Sequence, residues 1–393
     1  MIKFAILGMH MYLESTTMKT LSELARRGHD VTFVAGSTWG SVQRFGAPFN
    51  LEIVRFPKWL PVISLIYFEF AALHRLLKRI AEVDVVILDF NSLPMLFPVL
   101  WLKRLLSHTP VLFFHVESNI VNMGSPLRTT LCVFIDAFAT KLAAGAFDRI
   151  LFSSPMLGDF YHEKYNVPRE KIAVWPNVVD LDFSESVDSS RVRELRKDLG
   201  LDGHFGFLYH GAVRTQELLS LVQAFKILSG SSPNLTLVIL GYGIEKESFF
   251  RYVREHDLDR NVKLRGPVDH SEVSTYIAAC DAGITPMPDN IDYRYQNPIK
   301  VLELLAMNKP IVASDIPAHR WIIGNSNVAL YLKGTDPISI AEGVQAFLAS
   351  FENLDPKLGE KIVRERFTPE KVADALENQI RTCQTDIRRR FDA

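Results

Sequence analysis

Residues 296–314, QNPIKVLELLAMNKPIVAS, decide how the chain is read. Asn297 suits the cap position before a helix. Pro298 suits its first turn, where a fixed φ and a missing N–H cost nothing. Lys300 and Glu303, three residues apart, share one helix face. The segment follows an apolar run, AGITPM (282–287), and leads into another, PIVAS (310–314). Strand, helix and strand in this order make a βαβ unit, whose two strands lie parallel. The helix start therefore sits at the C-terminal edge of a parallel sheet. Free backbone N–H groups, the positive end of the helix dipole and a lysine meet there, in an arrangement that binds anions such as pyrophosphate. Glu303 is then placed to accept a ribose hydroxyl. The same residues would also make a well-capped core helix carrying an exposed Lys–Glu pair.

Working outward, the alternation continues on both sides. The second half reads FGFLYHG (205–211), a helix through Leu218, Leu219, Val222 and Phe225, LTLVILG (235–241), a helix near Lys246–Glu255, VKLRG (262–266) and VALYLK (328–333). The first half reads FAIL (4–7), a helix over Ser15–Arg27, VTFVAG (31–36), DVVIL (84–88), PVLFF (110–114) and DRILF (148–152). Fully apolar strands joined by helices imply parallel sheets covered on both faces. The expected class is α/β, with two doubly wound Rossmann-like domains facing a central cleft. Residues 176–203 are rich in Asp and Ser and look like a junction. The expected domains are 1–183 and 184–368. The stretch 369–393, helical over Pro369–Arg390, has no strand after it and is expected to pack across the outside or back onto the first domain.

A chain of 393 residues is long enough for two cores, and its 48% hydrophobic and 23% charged content is that of a globular α/β protein. Forty-four basic against 45 acidic residues leave a net charge of −1, so no nucleic acid partner is expected. Cys132, Cys280 and Cys383 are far apart and lack metal-ligand spacing, which argues against disulfides or zinc. The opening MIKFAILGMHMYLESTT lacks the long apolar run of a signal peptide, so a cytoplasmic protein is expected. Trp59–Leu73 and Leu93–Leu102 are too short to cross a bilayer. With Trp59, Trp101 and the nearby Arg75, Lys78, Arg79, Lys103 and Arg104, they suit either a core with solvated flanks or a surface touching anionic lipid on the inner face of a membrane.

Further candidates lie at other strand ends. Arg214 follows FLYHG and precedes a helix, so its guanidinium emerges at the same sheet edge, either toward phosphate oxygens or toward solvent. Gly241 and Gly243 in LGYG let a nucleotide approach the backbone, or simply make a turn. Gly8 ends the first strand, and the loop through His10 leads into a helix. GMHMYL lacks the second and third glycines of a dinucleotide fingerprint, and VTFVAG ends without an acidic residue, which disfavours nicotinamide or flavin chemistry. His115 and Glu117 in HVES follow PVLFF, placed to bond a sugar hydroxyl, move a proton, or serve as ordinary strand-end residues.

In their order, these segments resemble the retaining family-four glycosyltransferases, which have the glycosyltransferase-B fold. The resemblance runs from MIKFAILG and LARRGHDVTFV through FFHVES and SSPMLGDFYHEKYNVPREKIAVWPNVVD. It continues in FLYHGAVRTQELLSLVQAF, LTLVILGYG, VKLRGPVDHSEVSTYIAACDAGITPMP and NPIKVLELLAMNKPIVAS. It implies transfer from a nucleotide diphospho-sugar bound by the second domain to a carbohydrate, lipid-linked or small-molecule acceptor bound by the first, with retention and without a cofactor or metal. By position, Glu303 matches the second glutamate of the family's Glu-x7-Glu motif, which holds the donor ribose. Arg214 matches an arginine of the phosphate-binding pair, and His115 the histidine near the transferred sugar. Pro267 and Val268 fall where the backbone meets the base, and Asn297, Pro298, Ile299 and Lys300 where the diphosphate meets the helix start. The sequence departs from the pattern at Tyr295, which stands in place of the first glutamate. It also has Gln216 and Glu217 where a lysine is expected, and Val178 in place of a glycine. An epimerase or phosphorylase of the same architecture, or a nucleotide-binding homologue without transfer, would share most of these features.

Overall fold

Apolar runs rich in Val, Ile, Leu and Phe build two all-parallel sheets in the computed structural model. It describes residues 1–8, 16–38, 48–56, 67, 70–72, 74–76, 78–79, 82–89, 111–116, 138, 140–141, 143–185, 187–211, 215–241 and 246–392. The chain divides into two compact units, Met1–Val178 with Pro369–Ala393, and Val179–Thr368.

The first unit contains β1 (Lys3–Gly8), α1 (Thr16–Arg26), β2 (Asp30–Thr38), β3 (Asn50–Phe56), β4 (Val85–Asp89), β5 (Val111–Val116), β6 (Arg149–Phe152), α2 (Pro155–Tyr165) and β7 (Ile172–Val174). Its sheet order is β3-β2-β1-β4-β5-β6-β7. The edge strands β3 and β7 extend the expected set. An edge strand pairs on one side only and needs no continuous apolar run, so Glu52 and Arg55 sit within β3.

The C-terminal helix belongs to this unit. Val372, Leu376 and Ile380 recur every four residues and form a stripe buried with Met18, Leu21 and Leu24 of α1 and with Phe4 and Phe33 of the sheet. Arg27 reinforces the contact. Its guanidinium donates to Glu23 Oε1 at 2.8 Å, Asp374 Oδ1 at 2.7 Å, Glu377 Oε1 at 3.1 Å and the Glu370 carbonyl at 2.9 Å.

The second unit contains α3 (Ser189–Asp198), β8 (Phe205–His210), α4 (Thr215–Ser231), β9 (Leu235–Leu240), α5 (Lys246–Glu255), β10 (Val262–Arg265), α6 (His270–Ala279), β11 (Ala282–Thr285), α7 (Ile299–Ala306), β12 (Ile311–Ser314), α8 (Pro317–Ile323), β13 (Ala329–Leu332), α9 (Pro337–Ala349) and α10 (Lys357–Arg366). The C-terminal helix is α11 (Pro369–Asp392). The sheet order, β10-β9-β8-β11-β12-β13, is the doubly wound pattern in which strand order reverses once, between β8 and β11. Phe183 lies in this unit, stacked on His270 with ring centroids 5.4 Å apart, so the second unit begins upstream of the expected position.

Among the described residues no helix is long and apolar enough to cross a membrane. Arg75 and Arg79, weighed above as lipid-facing cations, both pair with Glu52, at 3.6 and 2.5 Å, and Arg79 also donates to Thr32 Oγ1. Trp59, Trp101, Lys103 and Arg104 lie outside the described residues.

Candidate active site

Ligands of open parallel sheets bind beyond the carboxyl ends of the strands where the order reverses, which here means the ends of β8 and β11. Alternation along β8 sends Phe207 and Tyr209 into the apolar cluster with Leu218 and Val222 of α4. Leu208 enters the cluster with Val301 and Leu304 of α7. His210, the last residue of β8, falls on the α7 side and meets Glu303 there.

Glu303 is only 3% exposed. Its Oε2 accepts a hydrogen bond from His210 Nε2 at 2.8 Å. A carboxylate only accepts, so the shared proton belongs to Nε2, and Nδ1 of a neutral His210 is left as an acceptor. That Nδ1 is buried without a partner among the described residues. On the other side, His270 Nε2, at the start of α6, lies 3.6 Å from Glu303 Oε1. Three βα units thus deliver two imidazoles and a carboxylate to one point.

Lys300 and Glu303 do not form the exposed pair weighed from the sequence. Burial of Glu303 against His210 separates their roles. Lys300 reaches toward the end of β8, where its Nζ lies 4.3 Å from the Tyr209 ring centroid and donates to the Tyr209 hydroxyl at 3.2 Å. A Cβ on Gly211 would lie 3.5 Å from that Nζ. Gly211 has φ +108° and Gly241 φ +157°, and a Cβ on Gly241 would fall 1.9 Å from the Gly211 carbonyl oxygen. Only glycine permits this approach of the two strand ends.

The helix start differs by one residue from its expected form. Pro298 is extended (φ −70°, ψ 111°) and takes the cap position without a side-chain bond. Helical geometry therefore begins at Ile299, and Asn297 is buried just before the cap. The first amides of α7 are those of Ile299 and Lys300, directed back toward the sheet edge. Tyr295 is half-buried and bonds to Arg294, whose guanidinium grips Asp289 at 2.8 and 2.7 Å. Beyond β10, Pro267 is exposed, and Val268 packs on the α7-side cluster.

His319 of α8 completes the described edge. It is fully buried, and its Nδ1–H donates to the Ser314 carbonyl at 2.9 Å. Burial pushes its pKa down to about 4, against the raising effect of the Ser314 bond and with a further lowering by the Lys300 charge. Its Nε2 is a buried lone pair without a partner among the described residues.

Gly8 ends β1, and His115 lies in β5, paired in register with Asp89 and Leu151. The side chain of His115, and His10, Glu117, Arg214 and Gly243 entirely, lie outside the described residues. The structure brings together Lys300, Glu303, Ile299 and Gly241 and adds His210, His270, Tyr209, Gly211 and His319. The one sequence signal for His210 is its place as the polar residue closing the apolar run FGFLYH.

Residues 13–183 match the model of Glycosyltransferase Family 4, and residues 204–350 match that of Glycosyl transferases group 1. The chain belongs to this glycosyltransferase family, whose donors are nucleotide sugars, and it has the glycosyltransferase-B fold. Among solved structures it is similar to sucrose-phosphate synthase from Thermosynechococcus elongatus, with TM-score 0.75, 14% identity, and coverage of 98% of this chain and 100% of that one. HepE of Anabaena in complex with UDP aligns with TM-score 0.70 and 13% identity over 97% and 100% of the two chains. The catalytic domain of starch synthase IV from Arabidopsis thaliana, bound to ADP and acarbose, aligns with TM-score 0.71 and 12% identity over 97% of this chain and 99% of that one. No curated protein sequence matches the chain.

Proposed function

We propose that the protein moves a sugar from a nucleoside diphosphate sugar to an acceptor hydroxyl with retention of anomeric configuration and without a metal. The observation that carries this reading is the convergence of Lys300, Glu303 and the start of α7 on the switch point of the second sheet. HepE was crystallised with UDP and UDP-glucose and starch synthase IV with ADP, which makes uridine and adenosine diphosphates the first donors to try.

In this reading the bond from the anomeric carbon to the leaving phosphate oxygen breaks. The acceptor oxygen bonds to the same face of that carbon, and its proton passes to the departing diphosphate. The growing negative charge is met by Lys300, by the α7 amides and by Arg214; the lysine and the amides are held in place before the step. Glu303 binds ribose. Gly8, His10, His115 and Glu117 belong to the acceptor side in the first unit, with His115 near the transferred sugar.

A lipid-linked acceptor on the cytoplasmic face of a membrane suits the first unit, where Phe70 is 70% and Tyr67 54% exposed, with exposed Lys78 beyond them. Retention on anionic liposomes at low salt, lost at high salt, is the expected behaviour; no retention at low salt removes that part.

The whole reading is tested by incubating the protein with a panel of nucleotide sugars and acceptors in EDTA and reading the product's anomeric configuration by NMR. A product with the donor's configuration is expected. An inverted product, or turnover only on adding a metal ion, contradicts it.

A further inference from the structure

A buried nitrogen without a hydrogen-bond partner calls for an explanation, because it has lost its water without gaining a bond in return. Among the described residues His270 Nε2 is such an atom, although the ring is 26% exposed and stands beside an ionisable carboxyl group. The 3.6 Å to Glu303 Oε1 is too long for a hydrogen bond and too short for a water to fit on the line between them. One oxygen placed to the side of that line, about 2.8 Å from each, completes the triangle. A hydroxyl can fill this place, since it donates one proton and accepts on its lone pairs.

The rest of the cluster fixes the two poles. His210 Nε2 holds the other carboxylate oxygen at 2.8 Å, so Oε1 is the oxygen left for a ligand. Phe183 stacks on the His270 ring at 5.4 Å and 29° and sets its plane. The cluster stands at the C-terminal edge of the second sheet, beside the start of α7.

We infer that His270 and Glu303 together clamp one ribose hydroxyl of the donor. The hydroxyl donates to Glu303 Oε1 and accepts from His270 Nε2–H, and His210 is a positioning residue that orients the carboxylate. The inference rests on the reading that the second unit holds the donor and gives His270 a part in choosing ribose over deoxyribose.

The test is calorimetric titration of UDP, ADP and GDP and their 2′-deoxy and 3′-deoxy forms into the wild type and the variants Glu303→Gln, His270→Leu, His210→Leu and His210→Gln. In the wild type, the nucleotide that binds is expected to be about ten- to a hundredfold tighter than one of its deoxy forms. His270→Leu and His210→Leu lower that ratio about tenfold and leave the deoxy affinity unchanged, whereas a merely structural role weakens both forms alike. His210→Gln, which retains an N–H donor, restores much of the ratio. A ratio lost in Glu303→Gln and kept in His270→Leu overturns the clamp alone. A ratio kept in Glu303→Gln, or no nucleotide binding at all, overturns the donor-site reading and the clamp with it.

Discussion

Lys300 Nζ lies 4.3 Å from the centre of the Tyr209 ring and 3.2 Å from its hydroxyl, so a cation on helix α7 is parked at the end of strand β8, beside Gly211. A lysine held this way is a point charge whose position is set before any substrate arrives. Lys300→Met is expected to lower kcat for sugar transfer about a hundredfold with the fold intact by circular dichroism. Tyr209→Phe keeps the ring under the cation and loses one charge-assisted hydrogen bond of 3.2 Å, so its effect is expected to stay near about 1.5 kcal/mol, below that of Lys300→Met. Equal losses in the two variants would mean that Lys300 acts through packing and not through its charge.

The approach of Gly241 to the Gly211 carbonyl leaves no room for a methyl group, the added Cβ falling at 1.9 Å. Gly241→Ala is expected to cost at least about 3 kcal/mol, since strained φ and backbone displacement add, and to weaken nucleotide binding as the strand ends part. Gly28→Ala is the control. Its φ is +84°, but nothing lies within 4 Å of the new atom, so only the strain, about 1–2 kcal/mol, is expected in urea unfolding.

His319 makes the stability of the second unit depend on pH. Burial holds its folded pKa at about 4, below the ordinary 6.5, so the unfolded chain binds the extra proton between these values. Stability is therefore complete above pH 6.5 and falls as the pH drops toward 4, by about 3 kcal/mol in all. His319→Asn is expected to flatten that slope in urea titrations between pH 7 and pH 4, whatever its effect at neutral pH. An unchanged slope would show that the ring is reachable by protons in the folded state.

The clamp of α11 on α1 responds in a lower window. Burial acts to raise the Glu377 pKa, but hydrogen bonds from His29 and Arg27 outweigh it and hold the group below its ordinary 4.5. A depressed carboxyl stabilises the fold above its unfolded pKa and loses that contribution as pH falls through the folded one. Glu377→Gln is expected to cost about 2 kcal/mol at pH 7 and to remove the part of the acid slope below pH 4.5. If the variant matches the wild type at pH 7, the cluster is a solvated surface group.

In the second sheet, β9, β11 and β12 were legible because they are fully buried. Leu235–Leu240 and Ala282–Thr285 are covered along their whole length and read as continuous apolar runs. NLEIVRF and IAV escaped notice as edge strands, where one-sided pairing tolerates Glu52, Arg55 and partly exposed positions. At the site, the βαβ pattern around residues 296–314 placed Lys300 and Glu303 at the sheet edge, since strand-to-helix order alone fixes that. It did not pair Glu303 with His210, 93 residues away, because such a contact depends on which strands are neighbours and which face each side chain takes. The cap moved from Asn297 to Pro298 for a local reason, the extended ψ of Pro298.

The central claim, a nucleotide-sugar donor held at the edge of the second sheet, is tested most directly by calorimetric titration of UDP, ADP, GDP and their sugar conjugates into the wild type and into Glu303→Ala and Arg214→Ala. Selective binding of one base, lost in both variants while their melting curves stay cooperative, is the expected result. Binding that survives both substitutions, or no binding by the wild type, would contradict the claim and leave the family membership without a working donor site.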